Sequence, residues 1–155
     1  MIEFSELLIE SVEDYNKLYE CVGKEAIDEQ AVDTLKKFLG TNCNRIVVEY
    51  PYHDKDFLST YYCYYSQKFR GFQKKCYRLH IMGEDEKYFG YIVLRPTVKG
   101  TRLGTTYLSP KPLLDEEAYL MLAKYEAHIM DNKRDIKCFP WMKQEVDIAV
   151  CAHVA

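Results

Sequence analysis

Tyr77, Leu79 and Ile81 alternate with Arg78 and His80, and a period of two with one polar face marks a half-buried β-strand. Gly83-Glu84-Asp85-Glu86-Lys87 then reads as a turn, and Tyr88 to Leu94 as the returning strand, stopped by Pro96. A hairpin in mid-chain constrains the fold more than any other feature, because neighbouring strands then extend an antiparallel sheet. The His80 and His128 side chains fall on polar strand faces, where solvent contact is expected.

The flanks supply the remaining elements. The first forty residues read as helical: Ser11-Val12-Glu13-Asp14 resembles a helix start, and Leu18 and Val22 share a face. A second helix has Asp28 as cap, Ala31, Leu35 and Leu39 as its apolar stripe and Gly40 at its stop. Arg45-Ile46-Val47-Val48-Glu49-Tyr50 is β-branched and closed by Pro51, which predicts a strand. A helix is expected from Asp54 to Gln67, across Tyr61-Tyr62-Cys63-Tyr64-Tyr65, whose tyrosines cannot all face inward. Gly100 to Gly104 predicts a mobile connection into a short strand at Thr105-Thr106-Tyr107-Leu108. Between Glu116 and Met130 the composition suits a helix, yet Ala123, Tyr125, Ala127 and Ile129 alternate with charged neighbours. The alternation predicts a hairpin, with its tip at Asp131-Asn132-Lys133-Arg134-Asp135.

The order of elements predicts an α+β fold: N-terminal helices, then a mainly antiparallel sheet, then the start of a helix carrying Cys151. The corresponding divisions are a helical segment over 1–42, an α+β domain over 43–140, and a terminal helix start over 141–155. The 155 residues suffice for a substantial core. No apolar run approaches the roughly 18 residues of a membrane span, and the acidic N-terminus lacks the order of a signal peptide. A cytoplasmic setting is therefore expected, with no membrane partner. There the six scattered cysteines stay reduced. No cofactor motif is evident, and Cys151-Ala152-His153 is the nearest approach to a metal pair.

The closing run from Phe139 reads as a polar loop feeding an apolar helix start, with Cys151 at the junction and Gln144 seven positions before it. A helix N-terminus stabilises a thiolate, and the Gln144 amide with the Cys151 N–H can hold an oxyanion. Phe139-Pro140, Gln144-Glu145 and Val150-Cys151-Ala152-His153 resemble the papain-like cysteine peptidase superfamily, in particular poorly characterised bacterial members. The resemblance implies a thiol hydrolase acting on a peptide or protein substrate, with Cys151 as nucleophile and Gln144 as oxyanion donor. Its Gln-to-Cys spacing is one residue longer than that of papain. The family's histidine and its Asn or Asp partner lie further downstream of the cysteine, whereas His153, two residues on, would point away from Cys151 on a helix, so half an active site and an inactive chain are expected. The alternative for Cys151 is a buried structural thiol.

The alternative is a non-enzymatic binding module. Residues 67–111 carry ten bases against three acids, while residues 1–39 carry ten acids against four lysines. The asymmetry suits an anionic partner for the basic half, or acidic helices packed across it. Gln67 to Arg78 concentrates it: Lys68, Arg70, Lys74, Lys75 and Arg78 are interleaved with Phe69, Phe72 and Tyr77. Such a segment suits an anionic, nucleic-acid or protein partner, with Tyr64 and Tyr65 as possible further contacts. The acidic whole and the lack of an RNA-binding signature weigh against nucleic acid.

Overall fold

In the computed structural model, residues 2–97, 102–110 and 120–140 are described. Strand β1 (Glu3–Leu8) precedes a 3-10 turn at Val12–Lys17 and helices α1 (Leu18–Val22) and α2 (Glu29–Leu39). Strand β2 (Cys43–Tyr52), helix α3 (Lys55–Cys63) and a short turn at Tyr65–Gln67 lead into β3 (Cys76–Gly83) and β4 (Tyr88–Leu94). Then come β5 (Leu103–Leu108), β6 (Ala123–Ile129) and β7 (Asn132–Cys138). Strands β1 to β5 form one antiparallel sheet in sequence order, and β6 with β7 a separate hairpin. The fold is α+β, with three α-helices among the described residues and a mostly antiparallel sheet.

Alternation along the strands divides the core between the two faces of the sheet. Ile46, Val48, Leu79, Ile81, Ile92 and Leu94 point to one side and meet Tyr15, Leu18, Val22, Ala31, Leu35 and Leu39. Each such aliphatic side chain contributes about 1.5–3 kcal/mol by leaving water. The Asp28 carboxylate accepts from the Ala31 N–H at 2.7 Å, and Gly40 ends α2 with φ of 51°. On the opposite face, α3 and the β6–β7 hairpin bury Phe57, Tyr65, Ala127, Ile136 and Cys138 against Cys76, Tyr91 and Val93. Asp54 caps α3 by accepting from the Phe57 N–H at 3.0 Å.

Several local expectations are corrected. Glu3–Leu8 is a strand paired along its length with Leu8↔Arg45 to Glu3↔Tyr50, within the segment expected to be helical. Only Leu7 of this edge strand is buried, so its alternation is too weak to read. Residues 1–42 share one core with the sheet, so the division at 42/43 does not divide the packing. β2 continues through Pro51, and α3 ends at Cys63 rather than Gln67. Leu103 and Gly104 lie inside β5, not in a connection. The last hairpin turns on Met130 and Asp131 alone, both at positive φ, with Ile129 paired to Asn132. A two-residue turn with both central residues left-handed matches strand twist, which draws Asn132 to Asp135 into β7.

No described helix is long and apolar enough to cross a membrane. The described cysteines are free thiols: Cys21 and Cys63 exposed, Cys43, Cys76 and Cys138 buried.

Candidate functional site

The basic segment after α3 crosses the end of the sheet as irregular chain. Phe72 anchors it, its ring packed on Tyr65 at 5.0 Å between centroids. Gln73 anchors it again, donating Nε2–H to the Tyr50 hydroxyl at 2.8 Å. Tyr50 in turn stacks on Tyr77 at 4.4 Å. Between and beyond these anchors, Arg70 and Lys75 stay exposed.

The facing wall comes from the ends of β4 and β5. The Arg95 N–H donates to the Arg102 carbonyl at 2.8 Å, and Arg95 Nη2 donates to the Leu103 carbonyl at 3.2 Å. Gly104 is what admits the Arg95 stem: a Cβ there would stand 2.7 Å from Arg95 Cγ and Cδ. Val22, Glu25 and Ala26 close the third side of a cleft of about 560 Å3. Its lining holds Arg70, Lys75, Arg95 and Arg102, with Glu25 as the one acid among the described residues.

The acidic N-terminal segment forms its described ion pairs outside this cleft. The ion pairs of its described acids run from Asp14 to Lys17, from Glu13 and Asp33 to Lys36, and from Glu6 to Arg45. Arg70, Lys75 and Arg102 have no ion pair among the described residues. Like charges crowded in one cleft repel, and an anion relieves that repulsion. Arginine offers a planar fork that binds phosphate or carboxylate through two hydrogen bonds.

The residues named from the sequence separate in space. Arg70 and Lys75 enter the cleft. Lys74 is exposed outside its lining, and Lys68 lies 4.1 Å from the centre of the Tyr64 ring. Tyr64 is half-buried, while Tyr65 is buried in the aromatic core. Arg78 points through the sheet to the opposite face, away from the cleft, because it sits one position from Tyr77 on β3. Gln144 and Cys151 lie outside the described residues, and so does the Cys151–His153 pair. Arg95 and Arg102 complete the cleft, although they stand far from residues 67–78 in sequence. The only advance signal was the positive balance of residues 67–111.

A second polar cluster lies between the sheet and the β6–β7 hairpin. Glu49 Oε2 accepts from Arg78 Nε at 2.7 Å and from His80 Nε2 at 3.0 Å. Arg78 also donates to the His128 carbonyl at 2.8 Å, tying the sheet to the hairpin. His80 is fully buried, against the expectation of a solvent-facing side chain, because β6–β7 covers this face. Burial pushes its pKa down, against the pull of Glu49 and with the push of Arg78. In the resulting neutral ring Nε2–H donates to Glu49, and Nδ1 accepts from the Tyr88 hydroxyl at 2.7 Å. Burial pushes the Glu49 carboxyl up, but the His80 hydrogen bond and the Arg78 charge outweigh it and hold the pKa below the ordinary value. Through these bonds the cluster ties the sheet to the β6–β7 hairpin.

An apolar opening of about 380 Å3 separates α2 from β4 and β5, lined in part by Leu35, Phe38, Ile92, Leu103 and Leu108. Among the described residues no three His, Cys, Asp or Glu side chains group to hold a metal ion. Compared with known proteins, the chain matches no family model, no curated protein and no solved structure.

Proposed function

We propose that this protein is a binding module whose basic cleft takes an anionic group of a partner or ligand. One observation carries the reading: Arg70, Lys75 and Arg102 converge from separate segments on one open cleft, beside Arg95 and without described ion pairs. Burying a ligand's charge there is compensated by fixed cations, which solvent alone would not supply. The cytoplasmic setting belongs to this proposal.

Isothermal titration with inorganic tripolyphosphate tests it. At low salt the protein should bind, and Arg70→Glu with Lys75→Glu should weaken binding at least about tenfold. Both positions are exposed, so circular dichroism should show an unchanged fold. Absence of binding, or binding indifferent to the double substitution, would remove the proposal.

The thiol-hydrolase reading of Cys151 and Gln144 rests on sequence alone and is a separate proposal. Iodoacetamide labelling across pH addresses it, since a catalytic Cys151 should react as a low-pKa thiolate.

A further inference from the structure

We propose that the anionic ligand is single-stranded nucleic acid, read as alternating phosphates and bases by the cleft and the segment leading into it. The inference rests on the anion-binding reading above and adds the aromatic half of the recognition. Phe69 stands between Lys68 and Arg70 with its ring entirely in solvent, at 114% relative exposure. A phenylalanine so placed forgoes about 1.5–3 kcal/mol of burial, although the aromatic core containing Phe72 lies three residues away. Phe72 and Tyr77 line the cleft itself, alongside Arg70, Lys75, Arg95 and Arg102. Phe72 is packed on Tyr65 and Tyr77 on Tyr50, so Phe69 is the exposed ring of this segment, one residue before the cleft-lining Arg70.

Charge alone would serve a free phosphate, an acidic peptide or a duplex equally well. The rings discriminate among them. A single strand offers an unpaired base face beside each phosphate, and stacking rewards an exposed Phe69 whatever the base. A duplex keeps its bases stacked on each other, and phosphate or carboxylate alone has no face to offer. The cleft's volume of about 560 Å3 lies in the usual range for small-ligand sites, so only one or two nucleotides enter it while neighbours pass Phe69. The acidic remainder of the chain repels a polyanion elsewhere, which confines the contact to this surface.

Fluorescence anisotropy with labelled single strands of about 12 nucleotides, oligo-dT and oligo-U, is the test. The comparison ligands are a duplex of the same length, tripolyphosphate and a polyglutamate peptide. Single strands should bind at least about tenfold tighter than the duplex or the peptide. Phe69→Ala should weaken them by about 5- to 100-fold while leaving tripolyphosphate affinity unchanged. With about four phosphates engaged, raising salt from about 50 to about 200 mM should cost about 50-fold. If Phe69→Ala has no effect, or the duplex or peptide binds as well, the nucleic-acid inference fails while the anion cleft stands. If no anion binds, tripolyphosphate included, the cleft reading fails with it.

Discussion

At Gly90 the backbone has φ of +131°, and a Cβ would stand 1.8 Å from the Tyr107 carbonyl oxygen on β5. Only a residue without a side chain lets β4 approach β5 there, and the position is strained for any other residue. Gly90→Ala should therefore lower stability by about 3 kcal/mol, read as a shift of the urea midpoint at unchanged slope. Within the run Tyr88 to Leu94 this glycine carries no signal of its own, since one-dimensional alternation holds no information about which neighbour crosses at a given point. Gly104 is similar. It looked like part of a flexible connection, and its role in admitting the Arg95 stem depends on a residue nine positions earlier.

Among elements, β3 was the most legible, and its two faces explain why the candidate site was only half legible. Tyr77 faces the helical layer and lines the cleft, whereas Arg78 faces the hairpin layer and is held by Glu49. A composition-based grouping joins these neighbours, but the pleat separates them. Replacing Arg78 tests what it does on its own face. Arg78→Met leaves the Glu49 carboxylate with His80 alone and removes the bond to the His128 carbonyl. Stability should fall by about 3–5 kcal/mol, and hydrogen exchange should quicken most in β6 and β7. Unchanged protection in the hairpin would show that Arg78 does not hold it to the sheet. His80 illustrates the same limit: its strand was expected and its polar face noted, but the hairpin that covers that face is some fifty residues away.

For the whole molecule, the buried cluster makes stability depend on pH with a definite sign. The His80 pKa is lowered by folding, so the unfolded chain binds the proton more readily below its ordinary value of 6.5. Stability is complete above that value and falls as pH drops below it. The Glu49 carboxyl is also held below its ordinary 4.5, so a second loss follows as pH falls below that point. Urea unfolding from about pH 7.5 to about pH 3 should show both phases, the first limited to about 1.4 kcal/mol per pH unit for one proton. His80→Gln should abolish the first phase, and the second should weaken without vanishing, because Arg78 still holds the Glu49 carboxyl down. A slope unchanged by this substitution would mean that His80 is not the group responsible.

Reading the residues in order is enough for the α+β class, the central hairpin, the α2 cap at Asp28, a helix begun near Asp54, and the existence of a basic, aromatic segment. These are properties of local spacing, propensity and charge, which neighbouring residues settle among themselves. The folded chain makes Glu3–Leu8 an edge strand and turns Arg78 and Tyr65 inward. It alone joins Arg70 and Lys75 to Arg95 and Arg102 in one cleft. Each of those outcomes depends on which distant surface arrives to cover or face a side chain, and strand pairing and layer packing set that, not position along the chain.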